Sequence, residues 1–343
     1  MRSRILIIFY SQTGQLKQII DQVLLHISPD CDIEVVEIKP KKPFPFPWTS
    51  DVFFDCMPES VQLIAEEIEP IQTPKETFDL IILGYQPWFL SPSIPMNSFL
   101  QSKYAELLRN QKVLTIIGSR NMWLNAQEKV KERLLDLDAR LVGNIAFFDR
   151  SPNLVSILTI IRWSFKGQKA ATRFMPEAGV QQKDIQDADR FGKIILSAVQ
   201  NQQFGTLHQK LLEVDAVELH PGLVVLEKRG IRNFRKFSNF ILEKGKRGDI
   251  ARKSRVVLFK RLLIIGVFIL SPISNFTAKL IVLFNKKVLE REVEYFKNIK
   301  YKKNNFVAIW RRIIELSPKS TIFDNKSITI KKNIFSFVVC LII

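Results

Sequence analysis

Ile5-Leu6-Ile7-Ile8-Phe9-Tyr10-Ser11-Gln12-Thr13-Gly14-Gln15-Leu16, close to the start of a 343-residue chain, decides how the rest is read. Five apolar residues in a row show no alternation, the habit of a strand covered on both faces in a parallel sheet. A polar turn follows, then a helix whose Leu16, Ile19, Ile20, Val23, Leu24 and Ile27 recur at the spacing of one buried face. Pro29 and Asp30 end it. A tight turn between such a strand and helix is where α/β sheets bind phosphate, because the helix N-terminus offers unpaired N–H groups and a partial positive charge. Gly14 lets the backbone approach a ligand with no Cβ in the way. Ser11 and Thr13 bring hydroxyls, and Gln12 and Gln15 bring amide donors. The turn holds no lysine or arginine and no Gly-Lys-Ser/Thr, which suits a monophosphate better than a triphosphate with its magnesium. The alternative is a polar turn that binds nothing.

Working outward, strands are predicted at 33–38, 80–85, 112–118 and 141–148, with amphipathic helices at 125–137 and 183–199. Strands alternating with helices over some 200 residues predict a doubly wound, five-stranded parallel α/β domain. The loop after the third strand reads Gln86-Pro87-Trp88-Phe89-Leu90-Ser91-Pro92-Ser93-Ile94-Pro95, and the loop after the fourth reads Gly118-Ser119-Arg120-Asn121-Met122-Trp123. Aromatics at that sheet edge suit a flat, amphipathic ring, although each alone would equally serve to pack on a helix. Pro40, Pro43, Pro45 and Pro47, leading into Trp48, predict an extended strap. Residues 154–165, apolar nearly all round, predict a buried or docked helix.

Charge divides the chain. From Lys228 onward there are 27 Lys+Arg against 7 Asp+Glu, whereas residues 1–227 hold 24 against 27. A near-neutral globular part is thus followed by a basic, apolar-rich one that needs an anionic surface or some other partner. Cys31, Cys56 and Cys340 form no CxxC pair, so a disulfide framework or zinc site is not expected and a reducing cytoplasm is. His26, His208 and His220 are too few for chemistry resting on several histidines. Residues 1–10 lack the apolar core and cleavage site of a secretory signal.

Tyr10-Ser11-Gln12-Thr13-Gly14-Gln15 resembles the phosphate loop of flavodoxin-like proteins, with Leu16 where that pattern has Thr. The resemblance implies a sheet in the order 2-1-3-4-5 and FMN as cofactor, lying at the switch point between the first and third strands. Residues implied for the cofactor are Ser11, Gln12, Thr13, Gly14, Gln15, Leu16, Pro87, Trp88, Phe89, Gly118, Ser119, Met122 and Trp123. Arg120 or Asn121 would polarise a flavin or substrate oxygen, and Tyr85, Asp51 and Asp149 are the candidate bases. No metal is implied. Longer strings, Lys42-Pro43-Phe44-Pro45-Phe46-Pro47-Trp48-Thr49-Ser50-Asp51 and the two aromatic loops among them, resemble a bacterial family labelled dialkylresorcinol condensing enzymes. That resemblance covers roughly residues 1–300 and implies a partner ketosynthase. Condensation needs a nucleophilic thiol with activating partners. None of the three cysteines has a His partner in sequence, so the implied role is the oxidative one. FMN would aromatise a dialkyl-cyclohexanedione made by the ketosynthase, with the Pro strap, Trp48 and Phe53 covering its alkyl arms.

These readings divide the chain into a flavodoxin-like FMN-binding domain at 1–202, a basic connecting segment at 203–255, a membrane-associated helical segment at 256–300, and an atypical, poorly ordered tail at 301–343. Within 262–284 two apolar stretches are interrupted by Pro272 and Asn275, and the second carries Lys279. A kinked membrane segment, a helical pair lying in the interface, and a buried hairpin all fit that pattern. Arg252, Lys253, Arg255, Lys260, Arg261, Lys286 and Lys287 would meet anionic head groups. Association with the inner membrane from the cytoplasmic side is therefore expected, with a homodimer possible. Nucleic-acid binding is not expected, because long aliphatic runs interleave the basic residues. A membrane-tethered electron carrier and a flavin-free scaffold for the ketosynthase are the alternatives.

Overall fold

A computed structural model describes residues 2–72, 77–270, 277–278 and 281–301. Most of the expected tail, the interruption at Pro272–Asn275, and Lys279 lie outside the described residues. The uninterrupted apolar runs become the central strands: β1 (Ser3–Phe9), β3 (Leu80–Tyr85) and β4 (Lys112–Ser119), with β5 (Arg140–Phe148) on one edge. At the other edge lies β2 (Cys31–Glu37), whose residues are mostly half-buried or exposed. All neighbours are parallel and the order is β2-β1-β3-β4-β5, the expected one. Ile7 lies between Val35 and Ile82, and Leu83 faces Thr115.

Helix α1 (Gln15–Val23) buries Leu16, Ile19, Ile20 and Val23 against this sheet. Next come α2 (Ser50–Asp55), α3 (Met57–Val61), α4 (Ile94–Gln101), α5 (Leu124–Asp136) and α6 (Asn153–Lys166). The helix expected at 183–199 is two pieces, α7 (Gln182–Gln186) and α8 (Asp189–Gln200). Helix α8 lies so close to α1 that a Cβ on Gly192 would sit 2.2 Å from the Val23 carbonyl oxygen. Only glycine permits that approach.

The segment expected to be a connector contains α9 (Leu207–Leu212) and the long α10 (Pro221–Leu242). It packs on the first domain, together with α11 (Lys253–Ile265) and α12 (Lys286–Lys297). Several basic residues expected at lipid head groups are engaged inside the molecule. Arg252 is fully buried, its fork bound to Asp55 Oδ1 at 2.7 Å and Glu59 Oε1 at 2.6 Å. Arg255 pairs with Glu243 at 2.8 Å, Lys260 donates to Ser50 Oγ at 2.6 Å, and Lys253 lies 3.8 Å from Asp51. Lys228 and Glu292, both buried, tie α12 to α10 at 2.5 Å. Among the described residues no helix is long and apolar enough to cross a membrane.

Of the two forms expected for residues 154–165, α6 takes the docked one. Its inner face is Ser156, Thr159 and Trp163, while Leu154, Leu158 and Ile161 are exposed. It is docked by one face only, and that face is the more polar one.

Candidate functional site

The C-terminal ends of β1, β3 and β4 converge on one cleft of about 250 Å³. Its floor is the turn after β1. Gly14 takes the left-handed conformation, φ +77°, and a Cβ there would meet nothing within 4 Å. The N-cap Gly14 has no side chain with which to cap α1, and the helix N-terminus carries the partial positive charge that receives an anion. Of the two hydroxyls in this turn only that of Thr13 lines the cleft. Thr13 Oγ1 accepts from the Gln15 amide and Ser11 Oγ from the Lys17 amide, each at a long 3.4 Å, so two of the first three amides of α1 already have a side-chain partner.

Two of the expected amide donors are engaged elsewhere. Gln12 donates to the carbonyls of Phe44 at 3.2 Å and Pro45 at 3.0 Å, and its oxygen accepts from the Tyr10 hydroxyl. It staples the Pro strap to the turn. Gln15 donates to Val180 O at 2.9 Å and accepts from Val180 N at 3.1 Å, so both ends of its amide are occupied. Gln12 and Gln15 shape the site through their partners and do not offer free donors to a phosphate.

The walls are aromatic. Pro87 and Trp88 pair with Ser91 and Pro92 in a two-residue hairpin whose tip is Phe89 and Leu90, both left-handed with φ of 47° and 64°. Two consecutive positive φ values define the turn that Asn-Gly ordinarily fills, so this tip is strained for its residues. It is held from outside: Leu90 O accepts from Asn125 Nδ2 at 2.7 Å, and Phe89 packs on Phe234 of α10 with ring centroids 5.9 Å apart. Trp88 stands edge-on to Phe44, Trp48 and Tyr10 at 4.9, 5.1 and 5.9 Å. Trp48 and Phe53 roof the cleft, and Trp163 of α6 closes a side. Helix α6 carries no sequence signal for this, because only the tertiary fold brings it to the cleft.

Gly118, Ser119 and Arg120 line the remaining wall. The Arg120 guanidinium donates to Asn153 Oδ1 at 2.7 Å. Burial pushes its pKa down to about 10, against the pull of the nearby Asp149 carboxylate, so it remains a cation at neutral pH. Asn121 donates to the same Asn153 oxygen at 3.0 Å and does not line the cleft. Met122 also lies outside it.

Two expectations are overturned. Tyr85 is fully buried in the sheet core, its hydroxyl donating to Gln127 Oε1, and burial holds its pKa well above the usual phenol range. It reaches no ligand. Trp123 is likewise a core residue, at the N-terminus of α5. Of the other candidate bases, Asp51 is exposed beside Lys253, while Asp149 is buried and accepts from the Ser151 amide at 2.9 Å. Neither lines the cleft. Cys56 does, but burial drives its thiol pKa far up, so it stays protonated. No carboxylate or histidine lines the cleft among the described residues, and no group of three or more metal-ligating side chains is found among them.

A larger cleft of about 460 Å³ lies at the β5 edge, against α7 and α8. Its arginines are already paired, Arg150 with Glu218 and Asp184, and Arg190 with Asp187. Phe147, Phe148 and Phe191 line it as well, but so do Asp184, Asp187, Asp215 and Glu218, and four carboxylates repel an anion, so the phosphate chemistry belongs to the smaller cleft.

The fold is flavodoxin-like. No protein-family model matches the chain, and no curated protein resembles it in sequence. Among solved structures, the chain is similar to a flavoprotein in complex with FMN from Lactobacillus acidophilus, at 19% identity over 43% of this chain and 93% of that one, with a TM-score of 0.33. It is also similar to a flavodoxin from the domain Archaea, at 12% identity over 57% of this chain and 99% of that one, with a TM-score of 0.31. Likenesses this distant bear on no chemistry.

Proposed function

We propose that the protein is an FMN-dependent oxidoreductase acting on an apolar cyclic dione, the aromatising step of dialkylresorcinol synthesis after a partner ketosynthase has closed the ring. One observation carries the reading. A helix N-terminus behind a glycine cap, an aromatic wall and a half-buried cation surround a single cleft at the switch point of the sheet. The turn after β1 fits a phosphate monoester: the Ser11 and Thr13 hydroxyls hold the Lys17 and Gln15 amides only through long 3.4 Å bonds that a phosphate can replace, and no acidic side chain lies in the first turn. Trp88 and Phe89 fit the faces or edge of a flat ring system.

When bound, FMN supplies a two-electron acceptor for the hydride that leaves a ring carbon of the dione. In the balance, a dialkylcyclohexane-1,3-dione loses that hydride and one proton and becomes the resorcinol. The protein's share is orientation and charge. Arg120, fixed by Asn153, presents a permanent cation to an oxygen that gains negative charge as the proton departs. A cyclic 1,3-dione enolises readily on its own, so a cation facing its oxygen replaces the strong base that the cleft lacks. Trp48, Phe53 and Trp163 exclude water and favour apolar substituents.

The roof favours an enzyme over an electron carrier. A carrier must bring its flavin edge to a protein partner, whereas this cleft is walled by its own strap and by α6. Purified protein titrated with FMN, then mixed anaerobically with a dialkylcyclohexane-1,3-dione, tests the reading. Bleaching of the flavin bands with formation of the resorcinol is expected. Failure to take up FMN would end the flavin reading. Uptake without bleaching would leave the carrier.

A further inference from the structure

The inverted face of α6 continues into a larger surface. Leu154, Leu158 and Ile161 recur at helical spacing and lead to Phe165. Phe165 packs on Phe53 with ring centroids 5.3 Å apart and shares a cluster with Leu263 of α11. Beyond Leu263, Ile264, Ile265 and Phe268 are exposed along that helix and the turn that extends it. The loop after α6 adds Phe174, which is 86% exposed, against 43% for Leu158. Large apolar side chains grouped on two neighbouring elements mark an interaction site.

Charge selects the partner. Residues 153–176 contain Arg162, Lys166, Lys169 and Arg173 and no acidic residue, and residues 253–270 contain Lys253, Arg255, Lys260 and Arg261 and again none. Arg162 donates to the Gln168 carbonyl at 3.2 Å, which leaves its charge intact, whereas Arg255 and Lys253 face the carboxylates of Glu243 and Asp51, so the rim keeps a net positive charge through the others. An apolar centre with a net cationic rim matches an anionic bilayer, into which the side chains dip while the rim meets head groups. A second copy of the same face would set like charges against each other.

We propose that the α6–α11 face docks on an anionic lipid surface. The placement also joins surface to cleft, since Ile160, Trp163 and Ser164 of the same α6 line the cleft from its other side. A lipophilic substrate would thus pass from the bilayer along α6 into the cleft without crossing water. The docking itself does not depend on the flavin reading.

Co-sedimentation of the full chain with vesicles of phosphatidylcholine alone, or of equal parts phosphatidylcholine and phosphatidylglycerol, tests it. Binding to the anionic vesicles only, weakened by salt, is expected. Leu158→Glu with Ile161→Glu should reduce that binding at least about tenfold, since two side chains lose their burial in the interface. Phe174→Ala and Arg173→Glu, both in the exposed loop, give milder reductions and guard against misfolding of the double variant. Circular dichroism should be unchanged in these loop variants. Absence of binding to anionic vesicles, equal binding to neutral ones, or unaltered binding by all the variants would overturn the proposal. So would a concentration-dependent dimer of the wild type, seen in sedimentation, that the same substitutions abolish.

Discussion

Gly14 and Arg120 are the two residues on which the cleft's chemistry turns, and each can be altered without filling the cleft. At Gly14 a Cβ meets nothing within 4 Å, so Gly14→Ala has only the left-handed backbone to contend with. That conformation costs an L-residue about 1–2 kcal/mol. The helix N-terminus is where the cost is felt, and FMN affinity should fall about five- to thirtyfold with little change in the spectrum of the bound flavin. A fluorescence-quenching titration checks this, and unchanged affinity would place the phosphate elsewhere. Arg120→Met keeps the length and apolar stem of the side chain but removes its charge. FMN binding should persist while anaerobic bleaching by the dione slows about a hundredfold, the size expected when one preorganised donor is lost from a dry site. Loss of FMN binding instead would make Arg120 a cofactor ligand and not a group acting on substrate.

At the scale of elements, the boundaries legible in the sequence are those where burial and periodicity agree. β1, β3 and β4 are read from unbroken apolar runs because both sheet faces are covered, and α5 from its regular apolar spacing. What burial on one strand cannot show is which aromatic at a sheet edge faces out. Trp88 and Trp123 read alike in sequence, yet the first walls the cleft and the second is sealed by α5 and its neighbours. The docking face of α6 is illegible for a related reason: a stretch apolar all round reads as a helix but does not say which side docks. Nor does sequence show that α5 is capped from far away. The Glu227 carboxylate on α10 accepts from the Asn125 amide at 2.7 Å, and the Leu124 and Trp123 amides also donate to it. Burial raises its pKa from 4.5 to about 7, the three amides pulling the other way. The folded state therefore binds more protons than the unfolded chain between these values, and stability falls as pH rises through that window. The loss amounts to roughly 3 kcal/mol at most and is complete above the folded pKa. Urea denaturation at mildly acidic and at mildly alkaline pH should show it, and Glu227→Gln should flatten the slope. A slope unaltered by that substitution would assign it to another group.

For the whole molecule, the question is whether the basic C-terminal part is an attachment or part of the domain. Its net charge reads as a search for an external anion, but sequence does not reveal that several of the anions are internal. Arg252 settles where the part belongs. Its five hydrogen bonds reach Asp55, Glu59 and Gly245, so one side chain joins α2, α3 and the link before α11. Around it, Ile231, Ile241, Val256 and Phe259 from the C-terminal part share one apolar cluster with Phe54, Met57 and Val61. Strap, hairpin tip and C-terminal helices are therefore expected to unfold together with the sheet. Arg252→Met tests this. It leaves Asp55 and Glu59 facing each other without their cation, and breaking a buried pair in this way costs about 3–5 kcal/mol. Denaturation should stay a single transition at a lower urea midpoint. Adding Glu59→Gln to Arg252→Met should recover part of the loss by removing one of the stranded charges. Two separate transitions in Arg252→Met, with FMN affinity kept through the first, would show instead that the C-terminal helices only cover a domain able to stand without them.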